Sequence, residues 1–253
     1  MSWQVPEPWR ARVDAVAPPR FADLTPRLAA LALAVPEGAR VADIGADHGL
    51  LGRALLATGR AAHVVAVDLS PAALEGARKN LAPEVAAGRA SVRLGDGFRA
   101  LEPGTIDCAV LAGMGARNII EIVAAAVATG HTPERLVIQA LAGEHRVRVA
   151  LLEAGYGLID EHLVADGRRV FMTLVLQHGA GVRALLDDVE RYVGPHLVRR
   201  RDALLDAWLD VQAAWLEAKV QALCALDDEH ARAARARLAA IHGAREARPQ
   251  ARA

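Results

Sequence analysis

The chain has 253 residues, 53% of them hydrophobic, which is enough apolar sequence for one large α/β core plus an appendage and excludes global disorder. Thirty basic and thirty acidic residues cancel to a formal net charge of zero. That balance excludes a globally basic nucleic-acid binder, so any basic footprint must be local.

Residues 1–20 are Pro-rich and read as loosely ordered. They carry Trp3 and Trp9 but no apolar run after a basic start, so they do not resemble a signal peptide. Leu24–Val35 reads as an amphipathic helix with Thr25 as N-cap and Pro26 at its first position. Apolar strands are expected near Val41–Ile44, His63–Val67, Ala90–Leu94, Ile106–Leu111 and Leu136–Gln139. Helices are expected near Gly49–Thr58, Pro71–Leu81, Asn118–Ala128 and Glu144–Ala154. This alternation predicts a parallel, doubly wound sheet buried on both faces. Gly157–Leu163 and Arg169–Leu176, joined by Asp166-Gly167, then read as a terminal hairpin.

After Gly179 the character changes. Val182–Val193 is amphipathic and Gly194-Pro195 breaks it. Leu204, Trp208, Val211, Trp215, Ala218, Ala222 and Ala225, flanked by Leu205, Leu209, Leu216, Leu223 and Leu226, give a wide apolar face on one long helix. The helix before the Gly-Pro break is the expected partner, with a weak homodimer through these helices as the alternative to a monomer. Arg232–Ala253 has six Arg and one Glu and reads as a basic tail. The expected divisions are therefore 1–20, a main domain over 21–180, a helical domain over 181–230 and the tail over 231–253. Cys108 and Cys224 lie far apart on apolar-patterned segments, which suits buried, reduced thiols in the cytoplasm. No metal-ligand spacing and no apolar run of membrane-spanning length occurs.

The chemistry-bearing residues recur at the C-terminal ends of the expected strands, where open α/β sheets bind ligands. Gly45 in Val41–Gly49 permits close backbone approach, and Gly49 opens a helix whose amides favour negative groups. Asp43 can orient the turn and receive a ligand ammonium. Asp68, followed by Leu69, suits two ribose hydroxyls. Asp96, beside Gly97, can accept from an adenine amino group. Each also has an architectural reading, as a tight connection, a helix cap or an Asp-Gly turn. The run lacks the G-x-G-x-x-G pattern of a dinucleotide enzyme. After the fourth strand, Ala112, Gly113, Met114 and Gly115 leave room for a flat substrate, with Arg117 and Asn118 beginning the next helix.

Together these residues resemble the nucleotide half-site of S-adenosylmethionine methyltransferases. More specifically, the chain from about Leu24 to Leu226 resembles the bacterial tRNA adenine-N1 methyltransferases called TrmK, which act on adenine 22. The resemblance rests on Arg27-Leu28, on Ala42–Gly45 with Asp47-His48, and on Gly95-Asp96-Gly97. It continues through Ala112–Gly115, Leu158–Glu161 and Val193–Pro195. It implies a Rossmann-like sheet with a small C-terminal helical domain, S-adenosylmethionine as cofactor and tRNA as partner. Asp43, Gly45, Asp47, Gly49, Asp68, Leu69, Asp96, Gly97, Ala112 and Gly113 would surround the donor. Asp47, His48 and Gln139 are the candidate catalytic residues, although Asp47 and His48 also suit plain turn architecture. Arg27, Met114, Gly115, Arg117 and Asn118 would meet the substrate, with Arg199–Arg201 and the tail adding grip. The chain departs from the family where Gln139 is followed by Ala140-Leu141 instead of Pro-Asn. It also has Gly-Met-Gly-Ala for Gly-Met-Gly-Gly, and Asp68 where Glu is frequent. The alternatives are a same-fold methyltransferase for another RNA site or a small molecule, or an inactive donor- and RNA-binding protein.

Overall fold

Strand–helix alternation over the first two-thirds of the chain folds into one seven-stranded sheet in the computed structural model, which describes residues 21, 23–167, 169–182, 184–185, 187–223 and 229–246. The expectations for residues 1–20 and for Cys224 lie outside these.

Helix α1 (Pro26–Ala34) starts where Thr25 accepts from Leu28 N, with Pro26 supplying the fixed φ of a first helical residue. Then follow β1 (Ala39–Ile44), α2 (Leu50–Ala57), β2 (Ala61–Asp68), α3 (Pro71–Asn80), α4 (Ala82–Ala86) and β3 (Ala90–Leu94). After these come β4 (Cys108–Met114), α5 (Ala116–Ala128), β5 (Arg135–Ala140) and α6 (Glu144–Glu153). The hairpin β6 (Tyr156–Asp166) and β7 (Arg169–His178) completes the sheet. Strand order is β3-β2-β1-β4-β5-β7-β6, with β7 antiparallel to both neighbours and the other pairs parallel. The chain lays strands outward to one side as far as β3 and then returns to add β4 on the other side of β1, and this switch in strand order between the parallel β1 and β4 puts a crevice at the C-terminal edge, where ligands of such sheets bind.

Side-chain parity divides the core. Val41, Val64, Ala66, Val110 and Val137 face α1 and α2, burying Leu31, Leu55 and Leu56. Ala42, Ile44, Val65, Leu111 and Ile138 face the other way, against Ile119 and Val123 of α5 and Val147 and Leu151 of α6. At about 25 cal/mol per Å² of apolar area, burial on both faces is the main stabilising term. Cys108 lies in this core, and burial pushes its thiol up to about 12, so it stays protonated and inert.

The C-terminal region differs from expectation in three ways. The helix predicted over Val182–Val193 is only α7 (Asp188–Tyr192), capped by the Asp187 carboxylate on Glu190 N. Val182 is held extended instead, exchanging both backbone hydrogen bonds with Leu158 at 2.7 and 2.8 Å. After the Gly194-Pro195 break, α8 (Pro195–Arg200) leads to α9 (Leu205–Ala222), whose partner is α10 (Glu229–Glu246), not the helix before the break. The Arg-rich stretch read as a tail is thus helical as far as Glu246. Finally, the apolar stripe of α9 is narrower than its pattern. Leu205, Trp208, Leu209, Ala213 and Leu216 are buried, whereas Trp215, Ala218 and Ala222 stay exposed because α10 covers the opposite side. The buried set joins Val193, Leu197, Ile241 and Ala244 in the same apolar cluster as the α5–α6 face of the sheet. No helix among the described residues is long and apolar enough to cross a membrane.

Candidate functional site

Four adjacent strand ends bring the candidate residues to one edge. Asp43 is the penultimate residue of β1, on the α1–α2 face, and is only 6% exposed. Burial, reinforced by the nearby charges of Asp68 and Asp47, pushes its carboxyl up to about 7. The turn after β1 is fixed by Gly45 N and Ala46 N, which both donate to Val67 O at 2.8 and 3.1 Å. Gly45 has φ +76°, and a Cβ there would stand 3.6 Å from the Met114 sulfur. The glycine therefore lets the backbone bend without a side chain projecting toward β4.

Asp47 also sits in the left-handed region, at φ 49°. Its N–H donates to Asp68 Oδ2 at 3.1 Å, while Ser70 N donates to Oδ1 at 2.9 Å. Asp68 thereby ties the β1 turn to the start of α3 while keeping lone pairs for a ligand. The Asp47 side chain is 73% exposed, and the His48 ring lies 3.7 Å from it. The His48 ring is seated against α3 at Gly76, whose missing Cβ it would overlap. Gly49 caps α2. Leu69 is 69% exposed at the lip of β2. Beyond β3, Asp96 accepts from Arg99 Nη1 at 2.8 Å, and buried Gly97 packs on Ile122.

The substrate side is organised by α1. Arg27 Nη1 donates to Gln139 Oε1 at 3.4 Å, and Gln139 Nε2 donates to Thr173 Oγ1 at 3.1 Å. Gln139 is 1% exposed, with both ends of its amide engaged within the protein. The Arg27 guanidinium also lies over the Phe171 ring, 5.5 Å from its centroid, and reaches Gly113, where a Cβ would stand 3.8 Å from Nη1. Met114 bridges this side to Gly45, and Ala112 pairs with Gln139 across β4–β5. Gly115 is the N-cap of α5. Arg117 is paired along α5 with Glu121 at 2.7 Å, and Asn118 is exposed beside it.

The structure therefore gathers Asp43, Gly45, Asp47 and Asp68 around the β1 turn, with Met114 against Gly45, and sets Arg27, Gln139 and Gly113 beside them. Arg117 and Asn118 are exposed in the first turn of α5, which follows directly on the end of β4. Sequence reasoning missed Phe171 and Thr173. Their signal was the two-residue period that puts both on one face of β7, the face carrying Gln139 on β5. A cavity of about 620 Å³ lies between α1, β6 and Asp202–Leu204. None of the predicted site residues lines it, so size alone does not locate the chemistry. Among the described residues no cluster of His, Cys, Asp and Glu could hold a metal ion.

Residues 24–174 match the family model described as a methyltransferase domain. A tRNA (adenine(22)-N(1))-methyltransferase of Bacillus subtilis is 29% identical over 189 residues, covering 73% of this chain and 79% of that protein. The crystal structure of the B. subtilis M1A22 tRNA methyltransferase TrmK superposes with a TM-score of 0.78 at 24% identity, covering 87% of this chain and 98% of the other. A Streptococcus pneumoniae protein proposed to be a tRNA (m1A22) methyltransferase, solved in complex with S-adenosyl-L-methionine, gives 0.76 at 25% identity over 87% and 99%.

Proposed function

The chain belongs to the methyltransferase-domain family, and we propose that it transfers a methyl group from S-adenosylmethionine to N1 of an adenine in tRNA, adenine 22 by similarity to its relatives. The observation that carries this reading is the run of carboxylates Asp43, Asp68 and Asp96 along β1, β2 and β3, with Gly113 and Met114 next to them on β4. A donor site and a flat-substrate site then share one edge.

The residues present fit the donor. Asp43 would face its ammonium, Asp68 its ribose hydroxyls and Asp96 its adenine amine, while Gly45 lets the backbone come close and Gly49, Leu69, Gly97, Ala112 and Gly113 line the approach. The bound donor supplies an electrophilic methyl group on a sulfonium. Adenine N1 already carries a lone pair, so no protein base has to deprotonate it. The protein's tasks are to align N1 and to stabilise the positive charge that develops on the base. We assign the second task to Asp47, the exposed carboxylate of the β1 turn, with His48 at its side. Gln139 acts as a positioning residue that aims Arg27 at Gly113. The base must leave its stack to reach this edge, at a cost of a few kcal/mol.

The deciding experiment incubates purified protein with unmodified tRNA and S-adenosylmethionine, then identifies nucleosides by mass spectrometry. New 1-methyladenosine at position 22 is the expected product. Intact RNA without a methylated nucleoside, despite donor binding, would sink the reading.

A further inference from the structure

A second cavity, about 370 Å³, opens beside the reacting edge, between the sheet and α9. It continues the substrate side directly: Ala140 ends β5 opposite Met114, and Leu141 N donates to Met114 O at 2.9 Å. Phe171 of β7 forms one wall, and Trp208, Val211 and Gln212 of α9 form another. Exposed Arg169 supplies a cation to the lining and Glu144 a carboxylate, one of each to meet the donors and acceptors of a base edge. Phe171 is the link between the two sites. Arg27 lies over its ring and against Gly113, so a residue at the cavity's rim also touches the methyl-accepting side.

Cations and aromatics continue outward along α9. Trp215, one turn beyond Val211, is 52% exposed. Its ring lies 5.1 Å from Lys219 Nζ and 5.7 Å from Arg237 Cζ, and Arg237 also donates to Gln212. Aromatic faces interleaved with cations are what unstacked bases bind. The volume falls within the range of small-molecule pockets, about 300–1,000 Å³, and walls that mix Phe171, Trp208 and Val211 with Glu144, Arg169 and Gln212 suit a flat heterocycle with polar edges better than a phosphate.

We propose that this cavity receives a second nucleobase of the substrate RNA, a neighbour of the one methylated, held between Phe171 at the rim and Trp208 and Val211 of α9. The proposal rests on the RNA-methyltransferase reading above. Turning one base out of a helix unstacks its neighbours. A pocket that captures one of them offsets part of that cost and fixes which adenine reaches Gly113.

The test is an abasic scan. Synthetic tRNAs lacking one base at a time around the methylated adenine are assayed with the wild-type protein and with Val211→Trp, which fills the cavity without touching the donor site. We expect one abasic position to raise KM about 5- to 100-fold in the wild type, the range for losing one base–aromatic stack. In Val211→Trp the intact tRNA shows the same rise, and the abasic RNA adds no further loss. Donor affinity and thermal melting should match the wild type; if Val211→Trp melts below assay temperature, the smaller filler Val211→Phe replaces it in the same cycle. A flat scan, or an abasic penalty that is undiminished in the filled variant, overturns the second-base site while leaving methylation of intact tRNA in place. Loss of all RNA methylation in the wild type overturns both readings.

Discussion

Asp43 couples the donor turn to pH. Its ordinary value of 3.8 is raised to about 7 by burial first and by Asp68 and Asp47 second. Between those values the folded chain holds a proton that the unfolded chain has released, so this group makes stability fall as pH rises through that window. A cationic donor group favours the ionised form, so donor affinity should climb from about pH 5.5 to about pH 7 and then level off. Titration calorimetry should show that slope vanish in Asp43→Asn, with binding about ten- to a hundredfold weaker, the worth of a charge-assisted hydrogen bond. Asp47 needs a different substitution. Its left-handed φ makes Ala a backbone change as well as a charge change, whereas Asn tolerates that region. Asp47→Asn should keep the wild-type melting temperature and lower kcat about a hundredfold at saturating donor and RNA; unchanged kcat would reduce Asp47 to a turn residue.

At the scale of elements, α1 carries Arg27 across the sheet to Gln139, Phe171 and Gly113. Arg27→Ala should therefore raise KM for RNA about ten- to a hundredfold without moving donor affinity, and Gln139→Ala should reproduce part of that effect although Gln139 itself is buried, an expectation in line with a charged hydrogen bond worth about 1.5–3 kcal/mol. Most of this architecture was legible in the chain. Thr25-Pro26 marked α1, Ser70-Pro71 marked α3, and Asp166-Gly167 marked the hairpin, because caps and turns are local chemistry. The carboxylates at strand ends were legible for the same reason, since a period switch announces each strand's last residue. Val182 was not, because a helical pattern lost to a long-range backbone bridge with Leu158. Nor was the exposure of Trp215, which depends on the side of α9 that α10 covers. Phe171 was invisible for a similar reason: its role exists only after β7 docks beside β5.

For the whole molecule, the neutral total leaves phosphate contacts to local arginines such as Arg199–Arg201, of which Arg200 is paired with Asp160 and Arg201 with Asp206. RNA binding should weaken roughly tenfold or more between about 50 and 200 mM salt if several phosphates are neutralised; filter binding across that range checks it, and a flat response would remove the basic-patch model. The junction between sheet and C-terminal helices is held by Arg148 and Glu161, both fully buried, 2.5 Å apart. Arg148 also donates to the carbonyls of Arg191 and Val193, and Glu161 accepts from His196 N. Glu161→Ala leaves a buried cation and should cost about 3–5 kcal/mol in urea unfolding. Gly194 has φ +121°, and a Cβ there would overlap the Glu161 carboxylate, so the chain turns into α8 only over this ion pair.

That ion pair turns two surfaces into one measuring instrument. Because it locks the start of the helical hairpin to the sheet, the span from Gly113 to Trp215 is set by the protein and not by its ligand. On the proposed reading, an RNA gripped at the far helix would present the nucleotide lying one fixed stride away, so choice of target would become a matter of distance along the RNA as much as of its letters.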